Sequence, residues 1–259
     1  MKKSLGDRMK SYELVNRSWL MPNSYAIVRI DGRAFHNFTR GLKKPFDYGL
    51  VEDMVETTKY LCKNVQGCHL GYTQSDEISL VLFDGHNHGS EKFFDGQIQK
   101  ICSVVSSMTT AKFNQLRLLR NSYVNNDGCN VVPIERYRLA EFDARVFNLP
   151  TFDETVNYLR WRQRDAVKNS ISMVAQSLYS HKELHEKNGN QQQELIFQKG
   201  QNWNDYDPSV KRGTSVVKRS EEYNDPKHGI YQRSVWVDET PDFCIDGGVE
   251  YLKDFIPPF

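Results

Sequence analysis

A short segment of apolar and β-branched residues ends abruptly in a carboxylate and a glycine. Residues 24–30 read Ser-Tyr-Ala-Ile-Val-Arg-Ile, and Asp31 and Gly32 follow directly. A run of β-branched and apolar residues of this length is typical of a buried strand. The sequence therefore predicts a sheet whose first strand carries an acidic group at its exit.

A second acidic group stands between two further strand-like segments. Residues 69–74 and 77–83 are rich in apolar side chains, and only Ser75 and Asp76 separate them. Two strands joined by two polar residues are the pattern of a tight β-hairpin. We expect Asp76 to lie at the tip of this hairpin.

The order of the elements indicates an α+β fold. Residues 4–19, 49–64 and 92–120 show helical periodicity, and residues 138–149 resemble another strand. From residue 24 onward the order is β-α-β-β-α-β. This is the split β-α-β, ferredoxin-like arrangement, in which helices back an antiparallel sheet.

The pattern changes after Pro150. Residues 151–186 are mostly helical by periodicity, and two strand-like pieces follow at 214–218 and 231–237. We predict a catalytic domain over residues 1–150. Residues 151–259 are predicted to form a helical and hairpin extension packed on it, or the two parts to be one continuous domain.

The two acidic groups are candidates for a metal site. In a split β-α-β sheet the first strand is central and neighbours the hairpin, so Asp31 and Asp76 can face each other. Mg²⁺ prefers oxygen ligands and keeps several waters, so two carboxylates and substrate phosphates suffice to hold it. The alternative is that Asp-Gly and Ser-Asp-Glu are ordinary polar turns.

Basic and hydroxyl side chains near these acids suit the binding of phosphate. They are Arg29, Arg33, His36, Lys43, Lys44 and Ser75, with Lys100 in the second long helix. Residues 158–165 place arginines, aromatic rings and an amide on one helix, a combination that suits RNA phosphates and bases. The alternative is a helix with a basic exposed side and Trp161 in the core. A weaker basic patch covers residues 211–219.

Composition excludes several classes of protein. With 34 Lys and Arg against 33 Asp and Glu, the net charge of +1 gives no global attraction to polyanions, so nucleic-acid binding must rest on local patches. Five cysteines without a C-x-x-C pair argue against a zinc site or a disulfide framework. No apolar run approaches the ~18 residues of a membrane span. We expect a cytoplasmic protein with no membrane partner.

Three ordered motifs resemble the tRNA-histidine guanylyltransferase superfamily, the 3′-to-5′ polymerases, of which the Thg1-like proteins are a branch. Residues 29–36 read Arg-Ile-Asp-Gly-Arg-Ala-Phe-His, residues 44–47 read Lys-Pro-Phe-Asp, and residues 71–79 read Gly-Tyr-Thr-Gln-Ser-Asp-Glu-Ile-Ser. Later markers at 142–145, 161–163 and 212–214 are similar to the family pattern. The resemblance implies a polymerase-palm-like catalytic domain and two Mg²⁺ ions, with ATP or GTP as activating and incoming nucleotide.

The resemblance also implies roles for individual residues. Asp31, the Gly32 carbonyl and Asp76 would hold the metal ions, with Glu77 as a supporting catalytic acid. The implied nucleotide contacts are Arg29, Asp31, Gly32, Arg33, Ala34, Phe35, His36, Lys44, Asp47, Ser75, Asp76 and Lys100. RNA contacts are predicted at Arg145, Arg160, Arg162, Arg164 and Arg212. The resemblance further implies tRNA as a partner and a homotetramer.

One departure from the family pattern bears on the reaction. Where the eukaryotic enzymes read His-Ile-Asn-Asn-Leu, a motif tied to the histidine anticodon, residues 165–171 read Asp-Ala-Val-Lys-Asn-Ser-Ile, with Val167 in place of the histidine. This favours the Thg1-like branch and the templated repair of 5′-truncated tRNA. The alternatives are strict addition of one G to histidine tRNA, nucleotide cyclisation on the same palm, and a non-catalytic tRNA-binding protein.

Overall fold

The computed structural model describes residues 4–85, 91–124, 138–225 and 229–258. Its strands are β1 Tyr25–Gly32, β2 Cys68–Gln74, β3 Glu77–Leu82, β4 Phe142–Leu149, β5 Thr214–Asp225 and β6 Gly229–Glu239. Its α-helices are α1 Leu5–Leu14, α2 Phe35–Phe38, α3 Tyr48–Asn64, α4 Ile98–Val124, α5 Phe152–Leu178, α6 His181–Leu184, α7 Gly189–Gln198, α8 Pro208–Arg212 and α9 Gly248–Lys253. Short 3₁₀ helices cover Phe93–Gly96 and Trp203–Asp205.

The six strands form one antiparallel sheet in the order β4-β1-β3-β2-β5-β6. The first four strands have the spatial order of the split β-α-β arrangement, which confirms the predicted α+β fold. The hairpin of β5 and β6 continues the same sheet beyond β2, since Thr73 pairs with Thr214 and Leu70 with Val217.

Helices cover both faces of the sheet, because successive side chains of a buried strand point to opposite sides. On one face, Val28 and Ile30 of β1 pack in a cluster with Leu61 of α3 and Val105 of α4. On the other face, Ile27 packs in a cluster with residues of α5 and of the C-terminal segment. These residues are Phe152, Val156, Leu159, Phe243, Leu252 and Ile256.

Several predicted boundaries were wrong, for local reasons. The second long helix begins at Ile98 and not near residue 92, because Phe94, Asp95 and Gly96 have positive φ angles that break an α-helix. Strand β4 begins at Phe142, and α5 ends at Leu178. The predicted cap of α5 is confirmed, since Thr151 Oγ1 accepts a hydrogen bond from the Glu154 backbone N–H at 3.2 Å.

Helix α1 is shorter than predicted and adds nothing to the core. Its apolar residues Leu5 and Tyr12 are exposed, and the helix buries no side chain. In the part of the chain that the structure describes, no helix is both long and apolar enough to cross a membrane. The division into parts at residue 150 stays a prediction.

Candidate functional site

The acidic groups at the ends of β1 and the β2–β3 hairpin meet as predicted. Ser75 and Asp76 form the two-residue turn, and Ser75 has φ +52°. The Gly32 backbone N–H donates a hydrogen bond to the Asp76 carbonyl at 3.1 Å. A side-chain carbon on Gly32 would lie only 2.9 Å from Asp76 Oδ2. The Asp76 carboxylate therefore rests directly against the backbone that follows Asp31.

The negative charge of Asp76 is only partly offset by its surroundings. Burial raises the pKa of the Asp76 carboxyl, and the nearby charge of Asp31 raises it further. Hydrogen bonds from Ser75 Oγ, at 2.9 Å, and from the backbone oppose the shift. A divalent cation would relieve this repulsion, so the donor set fits Mg²⁺.

The protein supplies few metal ligands of its own. Among the described residues, no group of three or more His, Cys, Asp and Glu side chains is arranged to hold a metal ion. Mg²⁺ bound here would keep waters or substrate oxygens in its other positions, as it does in phosphoryl-transfer sites. Binding of a nucleoside triphosphate would therefore add phosphate oxygens to the ligands of the metal.

Acidic side chains form a row across three neighbouring strands. Glu77 of β3 and Asp143 of β4 both pair directly with Asp31 of β1, so their side chains share one face of the sheet. Arg145 lies between the acids, with its Nη2 atom 3.2 Å from Asp143 and 3.9 Å from Asp31. The sequence prediction missed Asp143, although its position in the 142–145 motif was the available signal.

Glu77 is held by two guanidinium groups. Arg162 of α5 donates to both carboxylate oxygens, at 2.6 and 2.7 Å, and Arg29 approaches Glu77 Oε2 at 2.7 Å. The side chains of Arg162 and Glu77 are 4% and 5% exposed. Both Glu77 oxygens are occupied, so Glu77 supports the site and is not an open metal ligand.

This arrangement changes two of the predicted roles. The Arg162 guanidinium also contacts Asp165 at 3.0 Å and is buried behind the site, so the prediction that it contacts RNA was wrong. Arg29 was predicted to contact nucleotide. Its side chain is only 20% exposed and is directed to Glu77, with Asp31 at 3.7 Å. The structure gives Arg29 an orienting role beside the acids.

The segment after Gly32 turns away from the strand into α2. Ala34 has φ +49°, and the buried ring of Phe35 packs among Phe38, Phe113 and Phe142. The Phe35 ring belongs to the core, so only its backbone is available to a nucleotide. Arg33 and His36 are exposed, and Arg33 forms an ion pair with Glu141.

The lysines predicted to contact triphosphate lie in different places. Lys44 is exposed in the loop before α3, and Asp47 caps α3 by accepting a hydrogen bond from the Leu50 N–H at 2.8 Å. Lys100 follows Gln97, which bridges Trp19 ahead of β1. That end of β1 is opposite the end that carries Asp31, and the Lys100 ammonium group lies 4.6 Å from the ring centre of Phe94. The contact of Lys100 with triphosphate stays a prediction.

The remaining predicted RNA contacts are dispersed. Arg145 is half-exposed beside Asp31, and Arg164 is exposed on α5. Arg160 Nε donates to the Phe243 carbonyl at 2.7 Å, and Arg212 Nη1 donates to Asp242 at 2.9 Å. Arg145 and Arg164 are therefore the most exposed arginines of the predicted set, although Arg145 is ion-paired with Asp143.

A cavity of about 620 Å³ opens beside the hairpin tip. Its walls come from β2, α3, α5 and α8, and Ser75 lies on its rim. The wall residues include Met54, Thr73, Asn169, Met173 and Val210, and Phe46 of the loop before α3 also lines the cavity. An apolar pocket with a few polar groups is typical of a small-molecule site. The sequence patterns missed most of these residues, because they come from four separate elements.

Replacing Gly32 with alanine is expected to damage the site. The added carbon would lie 2.3 Å from Phe35 Cδ2 and 2.9 Å from Asp76 Oδ2, so the buried ring and the carboxylate must both move. We expect a loss of about 1–3 kcal/mol of stability from overpacking, measured by urea unfolding. Gly189→Ala is the control, since no heavy atom lies within 4 Å of its added carbon. Equal stability of the two variants would contradict the close contact at Gly32.

Comparison with known proteins identifies the family. A sequence profile described as Thg1, tRNAHis guanylyltransferase, matches residues 6–150, more than half of the chain. The chain belongs to the tRNA(His) guanylyltransferase family. The structure also matches a bacterial tRNA(His) guanylyltransferase (Thg1)-like protein in complex with ATP. The TM-score is 0.82 and the identity 40%, over 98% of this chain and 100% of that chain.

Other members of the family show wide divergence in sequence. A GTP complex of a bacterial (Thg1)-like protein matches with a TM-score of 0.78 and 40% identity, over 98% of this chain and 99% of that one. The tRNA(His) guanylyltransferase of Debaryomyces hansenii is 27% identical over 88% of this chain and 84% of its own length. Membership of this family makes the chain a nucleotidyltransferase.

Proposed function

We propose that this nucleotidyltransferase adds nucleotides in the 3′-to-5′ direction to the 5′ ends of tRNA, and that its reaction is templated repair of truncated ends. The observation that carries the proposal is the placement of Asp76 against Gly32, directly after Asp31, beside a cleft that is open to solvent. The ATP- and GTP-bound relatives support the choice of substrates.

The proposed reaction has two transfers. First, an oxygen of the RNA 5′-monophosphate attacks the α-phosphorus of ATP, and pyrophosphate leaves. Next, the 3′-hydroxyl of an incoming nucleoside triphosphate attacks the activated 5′-phosphorus, and AMP leaves. The RNA then ends in the triphosphate of the added nucleotide. Both are displacements at phosphorus that require positioning and charge stabilisation.

The residues in and around the acidic row divide these tasks. Asp31, Asp76 and the Gly32 carbonyl would hold Mg²⁺, which would supply Lewis acidity for hydroxyl activation and charge stabilisation. Burial raises the pKa of the Glu77 carboxyl, while the charges of Arg162 and Arg29 oppose that shift and hold Glu77 in place beside these acids. Arg145 is close enough to Asp31 to receive a phosphate group there.

Val167 favours templated repair over addition directed by the histidine anticodon. Its side chain is partly buried and packs against the cluster of Phe46, Ile171 and Val174. An apolar side chain held in this way offers no hydrogen bond to an RNA base. The position that carries histidine in the eukaryotic motif therefore has a packing role in this chain.

The decisive experiment is 5′-end extension of two RNAs under single-turnover conditions. One RNA is a histidine tRNA that lacks its extra G, and the other is a non-histidine tRNA that lacks its first nucleotide. We expect both to be extended with Mg²⁺, ATP and nucleotides, and the second to receive the base complementary to its template. Extension of the histidine tRNA alone would contradict repair, and extension of neither would contradict the whole proposal.

Asp76 is expected to lower the stability of the metal-free protein. Its pKa is raised in the folded state, so the folded protein holds this proton more strongly than the unfolded chain does. Asp76→Asn should therefore melt at a higher temperature than wild type at pH 7 in EDTA. The difference should shrink as the pH falls through the folded pKa towards the ordinary carboxyl range. A lower melting temperature for the variant at pH 7 would contradict this electrostatic picture.

A further inference from the structure

A basic groove lies on the face of the sheet opposite the acidic row. Its volume is about 1170 Å³, and it runs between α3, α4 and the β5–β6 hairpin. The acids Asp31 and Glu77 share their face with Ile27 and α5, whereas α3 and α4 cover the other face. The groove is therefore separate from the proposed catalytic site.

Positive charge in this groove exceeds negative charge. Its cationic side chains are Lys59, Lys63, Lys112, Lys218 and Arg233. Lys59 is neutralised, since its Nζ atom lies 2.6 Å from Asp238 Oδ1 and 2.9 Å from Glu56 Oε1. Among the described residues, the other four form no ion pair, although Glu221 lies opposite Arg233 in the β5–β6 ladder.

Aromatic rings sit beneath two of these lysines. Lys112 Nζ lies 5.8 Å from the ring centre of Tyr60, and Lys218 Nζ lies 5.7 Å from that of Trp236. These contacts hold the ammonium groups in place on the groove wall while leaving them open to solvent. Unpaired cations fixed in this way form a surface that attracts a polyanion. The chain as a whole is nearly neutral, so this attraction is local to the groove.

We propose that this groove binds the phosphate backbone of the RNA substrate, away from the end that reacts. The inference rests on the proposed function, since it takes RNA as the substrate. Lysines that contact phosphates release condensed counterions, which makes binding strongly dependent on salt. The groove would increase affinity for the body of the RNA, while the acidic row acts on its 5′ end.

The test is the salt dependence of tRNA binding by the double variant Lys63→Gln/Lys218→Gln. We expect the dissociation constant near 0.1 M KCl to rise roughly tenfold or more, and the slope of log K against log salt to become shallower by about 2. The matched control is Lys182→Gln/Lys187→Gln, which removes the same charge from exposed positions on and after α6. It should bind as wild type does.

Three results would overturn the proposal. The first is a groove variant with the affinity and salt slope of wild type. The second is an equal loss of tRNA affinity in the control variant. The third is a groove variant that binds tRNA normally but changes its oligomeric mass, measured by light scattering. The last would assign the groove to a contact between copies of this chain. Extension assays run in parallel separate the two proposals: if wild type extends tRNA and the variant binds normally, only the groove proposal fails.

Saturating tRNA gives a second readout. With all enzyme bound, the groove variant should extend 5′-truncated tRNA at the wild-type rate, and only the RNA concentration needed for half-maximal rate should rise. A reduced rate at saturation would place these lysines in the reaction itself and contradict a docking role. If wild type binds RNA through the groove but extends none, the docking proposal stands and the proposed reaction fails.

Discussion

Asp76→Asn is expected to lower the rate of 5′ nucleotide addition by about 10³-fold. If Asp76 holds the catalytic metal as proposed, its loss removes several kcal/mol of transition-state stabilisation, and about 4 kcal/mol corresponds to this factor. Asp31→Asn should have an effect of similar size, because Asp31 precedes Gly32 and its charge is close enough to raise the pKa of the Asp76 carboxyl. Single-turnover extension of 5′-truncated tRNA measures both.

Asp153→Asn is the matched control for these substitutions. Asp153 is exposed in the first turn of α5, so its replacement removes the same charge outside the site. It should leave the rate within about twofold of wild type, as surface substitutions usually change little. A fall of less than tenfold in both Asp31→Asn and Asp76→Asn, with folding intact by circular dichroism, would contradict the assigned role.

Arg162→Ala is expected to destabilise the protein by about 3 kcal/mol. The substitution leaves Glu77 buried with only Arg29 as a partner, and removal of one member of a buried ion pair costs about 3–5 kcal/mol. The remaining contact with Arg29 places the effect at the lower end of that range. For a chain of this size the melting temperature should fall by roughly 6–12 °C.

Arg164→Ala provides the comparison two residues further along the same helix. Arg164 is exposed, whereas Arg162 is buried, so the two arginines differ mainly in environment. We expect Arg164→Ala to change stability by less than about 0.5 kcal/mol. Equal melting temperatures for the two variants would contradict the buried network at Glu77.

The sequence was sufficient to predict that Asp31 and Asp76 lie near each other. A buried strand that ends in Asp31 and a two-residue hairpin tip at Asp76 leave few alternatives, since short turns fix the register of the strands they join. The observed pairing of Gln74 with Glu77, and of Asp31 with Glu77, follows from that geometry. Local pattern and global topology agree here, which is why this part was predictable.

The surroundings of the site were harder to predict because they depend on tertiary packing. Arg162 falls on the inward stripe of α5 with Tyr158 and Ala166, at helical spacings of four residues. Because arginines alternate with other residues around Trp161, the sequence did not show that Arg162 belongs to this buried stripe. Periodicity alone also gave no position for Lys100 along the sheet, and only the pairing of Trp19 with Gln97 shows where α4 begins.

The proposed reaction depends most directly on a divalent-ion site formed by Asp31 and Asp76. The measurement that tests it is the number of Mn²⁺ ions bound per chain in the presence of ATP, determined by electron paramagnetic resonance for wild type and Asp76→Asn. We predict two ions for wild type and at most one, more weakly held, for the variant. The same number of ions with the same affinity in both proteins would contradict the assignment.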